Sequence, residues 1–284
     1  SSAFRLNAMV HDADNWGAKV DKKGLAGTYR WNIGERDEYS ASLYHLKTDG
    51  VPLYNHPWLL DSNKVIQALP SAKNYYGLAS DYLRTETTYG TFTHKRRFDA
   101  DSELKTTVRH GHYERDLLGS QIAYASGTTL ANLNSSTVLI RKAPKARRGI
   151  SDITQIQSDF TNGFNALGYK HSLIGGLDYT EEKALRNNDA VKSVVPALLA
   201  SNGRDYLAAS MPTTLFSTPN DGDSIATNSS MPMNTFKTRT LGAYAQDIVS
   251  LNEKFKILGG LRVDNFNASY NAITPNAGSN SRTE

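Results

Sequence analysis

The connections between the alternating segments of this chain come in two lengths. Short polar connections lie at 34–38, 99–103, 165–170 and 252–254. Long connections lie at about 50–80, 116–149 and 185–234, with a modest one at 12–22. In an up-and-down sheet every second connection lies at the same end, so one end has tight turns and the other has long loops. Loops longer than about 15 residues are uncommon in compact soluble domains. This pattern therefore predicts an outer-membrane β-barrel with short periplasmic turns and long extracellular loops.

Nine segments with period-two alternation are predicted strands. They lie at 3–12, 22–33, 38–49, 82–98, 103–115, 150–164, 170–184, 235–251 and 255–270. The segment "FKILGGLRVD" at 255–264 shows the pattern, with apolar residues at odd positions and the charged residues at even ones. An apolar face of this kind needs a cover, and the loop pattern favours lipid. We therefore predict an all-β fold: an antiparallel up-and-down transmembrane β-barrel, partial, with about nine strands.

The composition excludes several classes of protein. The chain has 284 residues, of which 39% are hydrophobic, and no cysteine, so disulfides and thiolate metal sites are excluded. No apolar run approaches the roughly 18 residues of a transmembrane helix, and the mean hydropathy is −0.50. A net charge of +4 is too diffuse to indicate nucleic acid as a partner. The basic run "RKAPKARR" at 141–148 is predicted to be a solvated loop.

The sequence carries no motif of an enzyme. The G-x-S-x-G, H-E-x-x-H and P-loop patterns do not occur. No pair of carboxylates stands out as a glycosidase would require. We therefore predict that the protein is not an enzyme and has no catalytic residues, no metal site and no resident cofactor.

Three segments share their motifs with one family. "TLGAYAQDIVSLNEKFKILGGLRVDNF" at 240–266 contains a G-x-Y-x-Q-D strand, a short turn and an x-x-G-x-R-x-D strand. "SDFTNGFNALGYKHSLIGGLDYTEEK" at 158–183 is similar to the preceding hairpin, and "FRLNAMVHDADNWG" at 4–17 to an early barrel strand. In these segments the chain resembles TonB-dependent outer-membrane siderophore receptors, especially those for ferric catecholate siderophores.

The resemblance implies active uptake of ferric siderophore complexes, energised by TonB. The family barrel has about 22 strands around a plugged lumen. Residues 1–284 are therefore expected to be part of the barrel domain of a longer protein, with the plug domain and the C-terminal strands absent from this chain. TonB is expected to act through those absent segments. The other expected partners are the ferric siderophore, outer-membrane lipid and lipopolysaccharide.

The segment "RHGHYER" at 109–115 is the first candidate ligand site. Arg109, Tyr113 and Arg115 share the face that the alternation assigns to the lumen. Arginine neutralises and stacks on an anionic aromatic ligand, and tyrosine stacks and donates hydrogen bonds. The alternative is that the arginines pair with carboxylates in the lumen. The two histidines of this segment share the other face, either as metal ligands or as residues at the outer rim.

A long predicted loop, "VPLYNHPWLL" at 51–60, is the second candidate. Tyr54, His56 and Trp58 would capture ligand at the mouth of the barrel. The alternative is an aromatic girdle at the membrane interface. We assign that girdle to Tyr75 and Tyr76, which are predicted to open the next strand.

Two other functions fit the predicted strands. A passive outer-membrane porin or channel would share the strands and the loops but would lack a plug. A soluble β-rich domain, such as an adhesin or a glycan-binding domain, would have to bury its apolar faces against a second sheet.

Overall fold

A computed structural model shows one extended antiparallel sheet with long connections at one end. It describes residues 1–15, 18–52, 56–68, 70–71, 73–187, 199–201, 204–206, 211–225, 233–272 and 280–283. The strands are β1 (Ser2–Ala13), β2 (Val20–Trp31), β3 (Asp37–Gly50), β4 (Leu59–Leu60), β5 (Ile66–Gln67), β6 (Tyr82–Arg97), β7 (Ser102–Tyr124), β8 (Val138–Ala166), β9 (Tyr169–Asn187), β10 (Leu199–Ser201), β11 (Arg204–Tyr206), β12 (Thr214–Leu215), β13 (Met233–Ser250), β14 (Lys256–Ala272) and β15 (Asn280–Thr283). No helix among these residues is long and apolar enough to cross a membrane.

Each long strand pairs with the next long strand along the chain. The order in the sheet is β1-β2-β3-β6-β7-β8-β9-β13-β14-β15, and β12 adds to β8. All of these pairs are antiparallel, and β1 and β15 form the two edges of an open sheet. The predicted up-and-down architecture is confirmed. The nine predicted strands correspond to β1, β2, β3, β6, β7, β8, β9, β13 and β14.

Tight turns close one end of the sheet, as predicted. In the β8–β9 hairpin the turn residues Leu167 and Gly168 both have positive φ, at 52° and 82°. Two consecutive positive φ values are what a two-residue type I′ turn requires, and glycine adopts them without a Cβ penalty. We call this end of the sheet the turn end, and the opposite end, with the long connections, the loop end.

The registers place apolar side chains on one face of the sheet. Phe92 pairs with Val108, Val108 with Ile156, and the row continues through Tyr179 and Leu241. We call this the outer face and its opposite the inner face. The outer side chains of β14 stay exposed, for example 74% for Leu261 and 63% for Val263. No second sheet covers this face in the part of the chain that the structure describes, unlike a soluble sandwich.

The β7–β8 hairpin extends far beyond its predicted ends. These strands have 23 and 29 residues, and their connection covers 125–137 instead of the predicted 116–149. The basic run at 141–148 therefore lies in β8 and is not a loop. The alternation is obscured there because loop residues pack on the outer face of the hairpin and bury residues such as Leu118.

The packed loop residues form the small core of the molecule. Leu78, Leu118 and Ile225 are buried together there. We call residues 73–81 and 211–225 the loop layer. The predicted girdle position of Tyr75 and Tyr76 is wrong, because β6 begins only at 82 and both rings lie inside this layer. The Tyr76 hydroxyl donates to the Phe216 carbonyl at 2.8 Å, and the Tyr75 hydroxyl donates to Asp81 at 3.1 Å.

Candidate functional site

An ion-pair cluster lies on the inner face of β9, β13 and β14, nearer the turn end. The Arg262 guanidinium donates to Asp178 at 2.8 and 3.1 Å and to Asp264 at 2.9 and 2.6 Å. It passes over Gly242, where an added Cβ would collide with the side chains of all three residues. The motif residues Gly242, Arg262 and Asp264 therefore form one unit, in which the glycine provides the space and the others provide the charges.

Tyr244 completes this cluster toward β8. Its ring lies against Gly176, where an added Cβ would meet the Tyr244 hydroxyl and ring. The hydroxyl donates to Asp159, and Gln157 bonds both groups. The side chains line a trough of about 910 Å³ on the sheet. Charges and polar groups here satisfy one another within the wall.

A second paired cluster lies at the turn end of β2, β3 and β6. The Glu38 carboxylate is buried, with 5% of the residue exposed. It accepts hydrogen bonds from Arg30, from Arg97 at 3.0 Å and from the Gly34 backbone at 3.2 Å. We call this region together with the Arg262 cluster the lower inner wall. Each of its buried or half-buried acids has a cationic or hydroxyl partner.

The inner face changes character toward the loop end. The Arg109 guanidinium stacks over the Tyr89 ring at 4.0 Å and donates to the Tyr113 hydroxyl at 2.9 Å. Tyr89 in turn stacks on Tyr44, with ring centroids 4.9 Å apart. Among the residues that the structure describes, Arg109 thus has aromatic partners and no carboxylate within ion-pair distance. The alternative, in which the arginines pair with lumen acids, is not seen for Arg109 within the described part of the chain.

Two further arginines flank a glycine above this aromatic cluster. Arg115 pairs in register with Gly149, and Gly149 with Arg186. Adjacent strands lie about 4.8 Å apart, so the two guanidinium groups project from the same face on either side of an open position. A Cβ at Gly149 would meet only one backbone atom, at 3.8 Å.

This arrangement forms a cavity of about 420 Å³, also lined by Tyr113, Arg147 and Ser151. We call it the cationic pocket. Among the described residues, no carboxylate lies within ion-pair distance of Arg115 or Arg186. Glu114 also lines the cavity but pairs with Arg148 at 3.2 Å, and Glu182 accepts a hydrogen bond from Ser151 at 2.7 Å. The pocket can therefore accept an anionic group.

The structure brings together only part of the predicted site. Arg109, Tyr113 and Arg115 lie on the inner face as predicted. His56 contacts the Pro70 carbonyl at 3.2 Å within its own loop, and Trp58 is half exposed beside the β4–β5 hairpin. Tyr54 lies outside the described residues. A ligand role for all six residues stays a prediction.

The two histidines of the 109–115 segment lie on the outer face. His110 bonds Thr154 at 2.8 Å and His112 bonds Asp152 at 2.7 Å. Each histidine therefore has a different partner on β8. The described residues contain no group of histidine and acidic side chains arranged to hold a metal ion.

Sequence reasoning did not find Arg147, Gly149 and Arg186. Arg147 was assigned to a solvated loop, and Arg186 lay just beyond a predicted strand end. Extending both strands by alternation would have placed these residues on the inner face. Their proximity depends on the register in which β7, β8 and β9 pair, and the sequence does not reveal that register.

The sheet is an open segment of an up-and-down barrel wall, with an apolar outer face and a polar, charged inner face. The family model for the TonB-dependent receptor-like β-barrel matches residues 11–281. This chain belongs to the TonB-dependent receptor β-barrel family. Members of the family are β-barrels of the outer membrane of Gram-negative bacteria. The outer face is thus the lipid-facing one, the inner face borders the lumen, and the loop end is extracellular.

Several relatives support this assignment. The chain is 24% identical over 298 residues to the catecholate siderophore receptor Fiu of Escherichia coli K12, covering 98% of this chain and 36% of Fiu. The crystal structure of the siderophore receptor PiuA from Acinetobacter baumannii matches with a TM-score of 0.77 and 16% identity, over 99% of this chain and 41% of PiuA. The ferripyoverdine receptor of Pseudomonas aeruginosa bound to ferripyoverdine matches with a TM-score of 0.71 and 15% identity, over 99% and 35%. The chain spans about a third of the length of its curated relatives.

Proposed function

We propose that this chain is part of the barrel wall of an outer-membrane receptor that takes up ferric siderophore complexes with energy from the TonB system. The observation that carries the proposal is the cationic pocket on the inner face near the extracellular end. A ferric tris-catecholate carries a net negative charge, because its six deprotonated catechol oxygens outweigh the charge of iron(III). Guanidinium groups without acidic partners complement such a ligand.

The ligand class we propose is the ferric catecholates. The aromatic groups below the pocket, Tyr44, Tyr89 and Tyr113, suit ligands that combine negative charge with aromatic rings. The similarity to receptors named for catecholate siderophores supports the same class. The chain itself provides binding and enclosure only, and we propose no catalytic step and no resident cofactor.

We further propose that a plug domain and additional strands complete the receptor, and that TonB acts through those parts. Lipopolysaccharide is a proposed contact of the outer face above the apolar rows. There the cations Lys183 and Arg239 surround Glu181 at 3.3 and 2.8 Å. Such a belt of exposed charges lies at the height at which a barrel meets polar headgroups.

The test is iron uptake by the full-length receptor in a Gram-negative host that lacks its own catecholate receptors. Cells receive radiolabelled iron as a catecholate, a hydroxamate or a citrate chelate, with and without a functional TonB. We expect TonB-dependent uptake of the catecholate chelate. Uptake that persists without TonB would indicate a passive channel instead, and uptake of hydroxamate alone would overturn the ligand class.

A further inference from the structure

Where the loop layer packs on the hairpin, β8 contains an arginine that is entirely removed from solvent. The Arg141 side chain is 0% exposed. It donates to both oxygens of Asp221 at 2.7 Å, to Asp223 at 2.8 Å and to the Tyr76 carbonyl at 2.7 Å. All of its nitrogens therefore have partners. A buried guanidinium in this state requires every one of these acceptors to stay in place.

A second buried group lies beside the first. The Asp81 carboxylate accepts hydrogen bonds from the Ser120 amide at 3.0 Å and from its hydroxyl at 2.9 Å. It also accepts from the Leu78 amide at 3.2 Å and from Tyr75. Asp81 thereby ties the loop that precedes β6 to the far part of β7.

Backbone contacts join the same segments. The Ala79 amide donates to the Asp223 carbonyl, and the Asn220 amide donates to the Tyr75 carbonyl, both at 2.7 Å. β12 adds two residues to the edge of β8. Three parts of the chain thus converge on Arg141: the loop before β6, the β7–β8 hairpin and residues 211–225, which lie in the middle of the β9–β13 connection.

The loop layer packs on the outer face of the hairpin. Leu118 pairs with Tyr82 and shares the outer face with Val108, because the β6–β7 register is continuous between them. The layer therefore supports the extracellular part of the hairpin from outside. The inner face of the same two strands carries Arg115 and Arg147 of the cationic pocket.

We propose that Arg141 is a positioning residue for the cationic pocket. It holds the loop layer against the outer face of the hairpin, and the supported hairpin keeps Arg115 and Arg147 at their places on the inner face. Arg141 itself does not line the pocket. The proposal rests on the proposed function for its ligand, but the joining of the loop layer to the hairpin is independent of any ligand.

The test compares Arg141→Met and Arg141→Lys in the purified full-length receptor in detergent. Methionine keeps much of the volume but none of the donors, and lysine restores the charge with fewer donors. Arg84→Gln is the matched control, because Arg84 forms an exposed pair with Asp49 at 3.3 Å. The first readout is the rate of protease cleavage within 211–225 without ligand. The second is the affinity and the number of sites for the iron(III) complex of 2,3-dihydroxybenzoate.

For Arg141→Met we expect cleavage to accelerate about tenfold or more and affinity to fall about tenfold or more, with the number of sites unchanged. Arg141→Lys should recover part of both, and Arg84→Gln should match the wild type. Unchanged cleavage overturns the proposal, and so does faster cleavage with unchanged affinity. If the wild type binds no catecholate chelate, the proposed function fails, while cleavage still decides whether Arg141 holds the layer in place.

Discussion

The lower inner wall and the cationic pocket face the same lumen, but their charged side chains differ in whether they have oppositely charged partners. In the lower wall Arg262 is held by two aspartates, and Glu38 is held by two arginines. In the pocket, Arg115 and Arg186 flank an open glycine position, and Glu114, the acid that lines the cavity, pairs with Arg148 instead. Ion pairs within the wall stabilise its fold, whereas cations without an acidic partner, such as Arg115 and Arg186, are available to bind an anion. Substitutions in the first region should therefore affect folding, and those in the second should affect binding.

The largest effect is expected from reversing both pocket charges. The double substitution Arg115→Glu and Arg186→Glu should weaken binding of a ferric catecholate about 100-fold or more, since it replaces two attractions with two repulsions. Titration of purified full-length receptor by tryptophan fluorescence measures this. Arg262→Glu in the lower wall is the comparison, and it should lower the yield of folded receptor while the affinity of the folded fraction stays near wild type. Equal losses of affinity in both variants would remove the distinction between the regions.

Two glycines test the same comparison sterically. Gly242→Val places atoms where Arg262, Asp178 and Asp264 meet and should destabilise the receptor by about 2 kcal/mol, as overpacking does. Gly149→Ala would make only an ordinary contact, 3.8 Å from the Leu185 carbonyl oxygen, and should leave the unfolding temperature nearly unchanged. Thermal unfolding followed by circular dichroism decides between them. A greater loss of stability at Gly149 than at Gly242 would contradict the proposed roles.

Raising the salt concentration should also distinguish the two regions, with a smaller effect than these substitutions. Exposed cations lose their attraction for an anion as ionic strength rises, since the Debye length falls from about 10 Å at 0.1 M to about 3 Å at 1 M. We expect the affinity for the ferric catecholate to fall several-fold over this range, while the unfolding temperature changes little. A salt-independent affinity would show that the pocket arginines do not act through charge.

The smallest effect is expected at Asp81 in the loop layer. Burial raises the pKa of this carboxyl above its usual range despite four hydrogen bonds. A raised pKa favours the protonated folded form, so its stabilising contribution is fully present below the unfolded pKa and is lost as pH rises through the folded value. Asp81→Asn should remove that dependence and change the stability of the layer by less than about 1 kcal/mol. Hydrogen exchange of residues 73–81 across pH measures it, and an unaltered pH profile in the variant would contradict it.

Asp221 provides an internal control, because its pKa is shifted in the opposite direction to that of Asp81. Burial acts to raise its pKa, but hydrogen bonds from Arg141 and Thr214 outweigh burial and lower it. Its contribution is present above the unfolded pKa and is lost as pH falls through the folded value. Protection of residues 211–225 should therefore decrease on acidification, in the opposite direction to the Asp81 contribution.

The wall was predictable from the sequence because one physical rule generates it. Lipid on one side and a wet lumen on the other impose period-two alternation, and segments such as 255–264 display it. The rule fails where something else covers the outer face. At 117–124 and 138–142 the loop layer replaces lipid, Arg141 is buried among aspartates, and the strands were taken for a loop.

The candidate site was less predictable because it depends on register. Arg109 and Tyr113 lie four residues apart on one strand, so alternation alone placed them together. Arg115 and Arg186 belong to β7 and β9, which do not pair with each other. The two arginines are close only because both pair with Gly149 of β8. Nothing local to either arginine indicates its neighbour.

The length of the β7–β8 hairpin carries the wall well beyond the membrane. A strand of 29 residues spans roughly 65 Å along the membrane normal at a 45° tilt, about twice the hydrocarbon thickness. The cationic pocket lies part of the way up this hairpin, so the wall continues beyond it on the extracellular side. For the proposed receptor, this height sets how far below the extracellular rim an anion in the pocket would lie.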